Sequence, residues 1–153
     1  MRDLHNNIKV TPLLDPIVVN NTSEGTPANG VDVRDFQACE LIAILGATGD
    51  TLSGSVKIEL ILKESDDDST YTIVTDANDV LVGADGISTA PDSSGIFATI
   101  DANTEDERQF RIGYRGNMRY AMIIASLTGT HTNGTPMSII AVQHIANIRP
   151  ATD

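Results

Sequence analysis

An all-β fold is predicted for this 153-residue chain by three features of its sequence. Where apolar residues recur regularly they do so at every second position, the period of a strand with one buried side. Several further runs are apolar throughout and rich in Ile, which suits strands inside a sheet. No stretch repeats convincingly at 3.6 residues. The predicted architecture is an antiparallel β-sandwich or barrel-like body with an extended N-terminal arm: residues 1–30 form the arm and linker, and 31–153 a single β-rich domain. A chain of about 150 residues buries roughly 68–70% of its unfolded surface, so it needs neither disulfides nor a structural metal.

Within the arm, Ile8, Val10, Leu13, Leu14, Ile17, Val18 and Val19 form an isolated apolar segment. Pro12, Pro16 and Pro27 exclude a helix, and Asn20-Asn21-Thr22-Ser23-Glu24-Gly25 reads as a polar linker. Leaving such side chains in water is unfavourable by roughly 1.5–3 kcal/mol each, so the segment must be covered. Two states satisfy this, an edge strand on the arm's own sheet or an extended strap on a neighbouring subunit or shell. The reach of the linker, which runs on to Gly30, favours the strap.

In the body, Ala38 to Leu45 is apolar on both faces, whereas Val56 to Lys63 alternates, with only Ile61 breaking the polar set. Glu64 to Thr70 is a hairpin loop before the β-prone Tyr71 to Val74, since Asp and Ser side chains bond nearby amides in turns. Asp76 to Val82 admits a short helical turn, and 83–95, punctuated by Gly83, Gly86, Pro91 and Gly95, is an irregular loop before a strand at Ile96 to Ile100. Phe110, Ile112 and Tyr114 alternate with Arg111, Gly113 and Arg115. Tyr120 to Leu127 and Met137 to Ala146 are again apolar on both faces. Turn residues at 115–117 and 129–134 make residues 109–146 a meander of three antiparallel strands. Strands 38–45, 56–63, 120–127 and 137–146 should occupy the middle of two face-to-face sheets, the fully apolar runs covered on both sides.

Composition excludes more than it identifies. Ten Lys and Arg against 21 Asp and Glu give a net charge of −11, which repels a phosphate backbone and argues against nucleic acid as a partner. No window approaches the roughly 18 apolar residues of a membrane span, and the opening Met1-Arg2-Asp3-Leu4-His5-Asn6-Asn7 lacks the apolar run of a secretory signal, so synthesis in the cytoplasm is expected. The single cysteine, Cys39, lies in an apolar strand and reads as a buried, inert thiol. His5, His131 and His144 have no metal-ligand spacing. Asp66-Asp67-Asp68 lacks the ligand pattern of a calcium loop and reads as a solvated turn, and Gly46-Ala47-Thr48-Gly49-Asp50 lacks the third glycine of a dinucleotide fingerprint and the Lys of a P-loop. With no nucleophile, base or cofactor motif, the expectation is a protein that is not an enzyme and requires no cofactor.

Charge is segregated along the chain. From Glu64 to Glu107 there are 12 acidic residues and no Lys or Arg, after which Arg108, Arg111, Arg115 and Arg119 follow closely. Two readings stand side by side: an acidic loop-rich edge beside an Arg-bearing strand, or two complementary surfaces that meet across a subunit boundary. Candidate partner contacts are therefore Leu4, Ile8, Val10, Leu13, Leu14 and Ile17 of the arm, with Arg108, Arg111, Arg115 and Arg119.

The opening Met1 to Val10, the hairpin Leu62-Lys63-Glu64-Ser65-Asp66-Asp67-Asp68-Ser69-Thr70-Tyr71, and the late Gly113-Tyr114-Arg115-Gly116-Asn117-Met118-Arg119-Tyr120 with Gly129-Thr130-His131-Thr132 resemble a family of small structural proteins of tailed bacteriophages and prophages. The acidic stretch 75–107 is longer than that pattern. The resemblance implies a virion component on the outer head surface, a capsid cement or decoration protein that binds the major capsid protein and itself, with a trimer favoured. The competing reading is a β-sandwich module of a head fibre or tail that recognises host-surface glycan. Against it, the chain has no Trp and only 3 Phe and 3 Tyr to build an aromatic platform.

Overall fold

The computed structural model describes residues 4–83 and 85–146; the first three residues of the expected arm and residues 147–153 of the expected β-rich domain lie outside the described residues. The chain forms two antiparallel sheets that pack on each other, as the alternation and the absence of helical periodicity require. Ten strands are present among the described residues: β1 Ile8–Val19, β2 Val31–Asp32, β3 Phe36–Leu45, β4 Lys57–Ser65, β5 Thr72–Ile73, β6 Val80–Leu81, β7 Ile96–Ile100, β8 Gln109–Tyr114, β9 Tyr120–Thr128 and β10 Thr135–Ala146. Sheet 1 runs β1-β10-β3-β8-β6. Sheet 2 runs β2-β9-β4, with β7 and β5 sharing the far side of β4. The four expected central strands are central. The expected helical turn is a single 3-10 turn, Ala77–Asp79, in which the Asp76 carboxylate accepts from the Asn78 amide.

The core fills the space between the sheets. Sheet 1 contributes Leu41, Ala43 and Leu45 of β3, Phe110, Ile112 and Tyr114 of β8, and Met137, Ile139 and Ala141 of β10. Sheet 2 contributes Ile58, Leu60 and Leu62 of β4, Ala121, Ile123 and Ala125 of β9, and Phe97 and Ile100 of β7. Two hydrogen bonds cross between the layers: the Tyr114 hydroxyl donates to Glu64 Oε2 at 2.6 Å, and Gln143 Nε2, itself 1% exposed, donates to the Asp32 carbonyl at 2.7 Å. Burial and the Glu64 carboxylate both push the Tyr114 phenol well above its ordinary range, so it stays a donor. Tyr114→Phe should cost about 1–2 kcal/mol of unfolding free energy in urea titration, because it strips a charged acceptor of its partner. An unchanged midpoint would show that water replaces the phenol.

The last three strands are not a meander. β8 and β10 both lie in sheet 1, separated by β3, while β9 between them in sequence lies in sheet 2. The turns at 115–119 and 129–134 reverse the chain and also carry it across to the opposite layer, roughly 10 Å away. Strand composition explains the crossing. Met122 and Ile124 on the outward side of β9 are buried, as are Ala121, Ile123 and Ala125 on its inner side, so β9 needs the centre of sheet 2 beside β4.

Of the two states open to the arm, the edge strand is formed. β1 pairs with β10 from Ile8 opposite His144 to Val19 opposite Thr135, with register shifts between Pro12 and Leu14 and between Leu14 and Ile17. An edge position tolerates Pro12 and Pro16, which need no ladder donor there. Val19 is fully buried, and Leu13 and Leu14 pack against the core. The linker is not free either: the Ala125 amide donates to the Gly25 carbonyl at 2.8 Å, and the Leu127 amide to Thr22 Oγ1 at 2.9 Å. A Cβ at Gly25 would lie 2.5 Å from the Ala125 carbonyl oxygen, so this approach requires glycine.

The acidic residues build the loops. Asp67 accepts from the Ser69 and Thr70 amides and the Ser65 hydroxyl, Asp92 from the Ser94 and Ile96 amides, and Glu105 from the Asp101 and Ala102 amides. Asp68 holds the Gly30 amide and the Tyr71 hydroxyl. Asp50, from the loop after β3, accepts from the Thr132, Asn133 and Gly134 amides and so ties two loops together. Asp85 binds the Ile87 and Ser88 amides, the Ser88 hydroxyl and the Arg111 amide on the edge of β8.

These bonds set an acid response. Asp50 is held below the usual carboxylate range chiefly by the Asn133 amide, and Asp67 far below it chiefly by the Thr70 amide. Burial would raise Asp85, but the Ser88 hydroxyl and the three amides outweigh it and bring it down to about 2. A carboxyl depressed in the folded state contributes stability that is present above its unfolded value of roughly 3.9 and is lost as pH falls through the folded value. The melting temperature contributed by these groups should therefore be flat from neutral pH to about 5 and fall between about pH 4 and 2. Asp85→Asn should flatten part of that fall in a scanning-calorimetry series; an identical acid limb would exclude Asp85 as a contributor.

Candidate interaction face

The two faces of sheet 1 differ in what covers them. Its inner face meets sheet 2, and its outward face is open, although β3 and β10 are apolar on both sides. Register assigns the outward residues to rows across the strands. Ala38, His144 and Ile8 form one row, and Leu81, Gly113, Glu40, Val142 and Val10 the next. Arg111, Ile42, Ile140 and Pro12 follow, then Gln109, Ile44 and Ser138, with Val18 opposite Pro136 at the end. The result is an apolar floor in which Ile42, Ile140 and Val142 half-shield one another and the periphery is more exposed: Ile44 is 42%, Val10 47%, Val18 53% and Leu81 61% accessible. Beside it, Ile17, Val18, Ile44 and Pro136 line a shallow groove of about 380 Å³. The only charged side chains in these rows are Glu40 and Arg111, paired at 3.0 Å.

This arrangement divides the expected contact residues. Ile8 and Val10 belong to the open face, Ile17 lines the groove, and Leu4 is exposed ahead of a 3-10 turn, His5–Asn7. Leu13 and Leu14 are turned to the core. The four arginines do not form one stripe. Arg111 is neutralised by Glu40, Arg119 donates through Nε and Nη2 to Asp32 Oδ2 at 3.0 and 2.7 Å, and Arg108 Nη2 donates to the Thr104 carbonyl at 2.7 Å. The Arg115 guanidinium alone of the four makes no hydrogen bond or ion pair among the described residues. It borders a cleft of about 430 Å³ at the opposite end of β3, together with Arg34, Phe36 and Asn117. Ile42, Ile44, Ile140, Val142 and Val18 were not among the expected contacts; their signal was the apolarity of β3 and β10 on both sides, which predicts a cover that the described residues do not provide.

The remaining candidates resolve as parts of the framework. Cys39 is buried and its thiol is pushed up to about 12 by burial, with Glu40 adding to the effect. His131 is buried, its Nε2 lies 3.1 Å from the Thr128 carbonyl and its Nδ1 4.0 Å from Asp50 Oδ2. Among the described residues no three His, Cys, Asp or Glu side chains gather as a metal site, and no helix is long and apolar enough to cross a membrane. Comparison with protein-family models, curated proteins and solved structures returns no match.

Proposed function

We propose that this chain is a structural component of a virion, a capsid cement or decoration protein that binds the outer head shell of a tailed bacteriophage and contacts its own copies. The observation that supports the reading is the open apolar face of sheet 1: a β-sandwich that leaves the outward aliphatic side chains of β1, β3 and β10 exposed or half-exposed works by association with protein. Loop geometry agrees, since its acidic groups are spent on holding turns in place. The glycan-binding alternative rests on the cleft where Phe36 lies near Arg34 and Arg115, but Arg34 shares Asp32 with Arg119, which reduces the charge on offer.

Negative-stain imaging of virions that carry a tagged copy tests the assignment. Label over the whole head is the expected result. Label confined to tail or fibre tips would move the protein to the alternative, and absence from particles would end both.

A further inference from the structure

We infer that the outward face of sheet 1 is a self-association face, on which a second copy of the same chain packs sheet against sheet. Sequence supplies the first argument. β3 and β10 carry aliphatic residues on both sides, a composition that suits sheets covered on both faces, and the described residues cover only one of them.

Charge supplies the second. In a chain of net charge −11 the face is neutral, because Glu40 is matched by Arg111 within the same copy. A face without free charge has nothing to offer a charged partner, and fits another neutral apolar surface. Its own copy is such a surface, and its equal twist allows two sheets to stack at the roughly 30° angle by which sheets pack inside sandwiches.

Extent supplies the third. The strands of sheet 1 run from two residues (β6) and six (β8) to ten (β3) and twelve (β1 and β10); at about 4.8 Å between strands and about 3.3 Å per residue they cover roughly 600 Å² in plan, so a pair removes on the order of 1,000 Å² from water, the lower bound for a specific interface. The contact is isologous and closes at two copies. It shares its supporting observation, the open face of sheet 1, with the virion reading, but it is tested on the isolated protein, so its failure is distinguishable from a failure of head labelling. It also differs from the trimer implied by the phage resemblance, which would use another surface.

The test is sedimentation equilibrium of the full chain from micromolar to millimolar concentration, in low salt and in high salt. The expected result is a monomer–dimer equilibrium that high salt leaves unchanged or tightens. Ile44→Lys and Val142→Lys, each placing a cation on the apolar floor, should weaken it at least tenfold. Ser138→Arg does so without removing an apolar contact, and Ile73→Lys, an exposed apolar position in β5 of sheet 2, should have no effect. Each variant is first checked for an unaltered circular dichroism spectrum and melting temperature. Should the Lys variants misfold, Ser138→Arg carries the test. A monomer at millimolar concentration overturns the inference, as does a trimer, or any oligomer that ignores Ser138→Arg and dissolves in high salt.

Discussion

A chain lacking residues 2–19 is expected to be recovered unfolded or aggregated, with the far-UV signature of a β-sandwich lost. The deletion removes β1 and with it Val19, which is fully buried, and the Leu13 and Leu14 side chains packed on the core. At roughly 1.5–3 kcal/mol for each fully buried aliphatic side chain, the loss amounts to several kcal/mol before any ladder bond to β10 is counted. That is comparable with the whole stability of a domain, about 5–15 kcal/mol. Deletion also turns β10, apolar on both sides, into a bare edge, the geometry that recruits other chains. A truncated protein that kept the wild-type melting temperature would show that β1 is an appendage and that the strap is its working state.

The second large effect is expected at Phe110. Its ring is 1% exposed and stands opposite Ala43 in the β3–β8 register, so a large side chain fills the room that a small one leaves. Phe110→Ala should destabilise by about 3–5 kcal/mol, since strands pinned on both sides cannot collapse into the cavity. In guanidinium titration the midpoint should fall with the slope unchanged; a loss below about 1 kcal/mol would mean that neighbouring side chains repack into the space. Ala43→Val in the same background should recover part of the loss, because the two positions share one volume.

Strand positions were readable because alternation reports burial directly: the pattern of Val56 to Lys63 is the pattern of β4, and the two-sided apolarity of 120–127 is the burial of β9 on both faces. Sheet membership was not readable. Arg115-Gly116-Asn117 signals a reversal, yet the same residue types serve a hairpin within one sheet and a crossing between two. The pairing of the arginines was not readable for a related reason. Their closeness in sequence left two readings open, and Arg111 finds Glu40 and Arg119 finds Asp32, partners 71 and 87 residues away. Those distances are set by topology, and no local pattern carries them. For the open face the signal was present and its consequence was not: apolarity on both sides of Ala38 to Leu45 predicts cover on both, whereas the outward side is exposed or half-exposed.

Pairing of β1 with β10 has a consequence for biosynthesis. Ile8 of β1, the first strand, has its partner in His144 of β10, the last strand among the described residues. Sheet 1 therefore cannot close before β10 is translated, and β1 must wait, aliphatic and unpaired, until β10 has emerged. Non-local pairing of this kind is slow to form and exposes sticky segments meanwhile. Pro12 and Pro16 lie in the waiting strand, where each removes an amide and makes it a poor template for another nascent copy. A prematurely terminated product lacks β10, and with it the seat for β1 and the neighbour of β3. Only a polypeptide that extends through β10 can close sheet 1, so the fold acts as a check on the length of the translated chain.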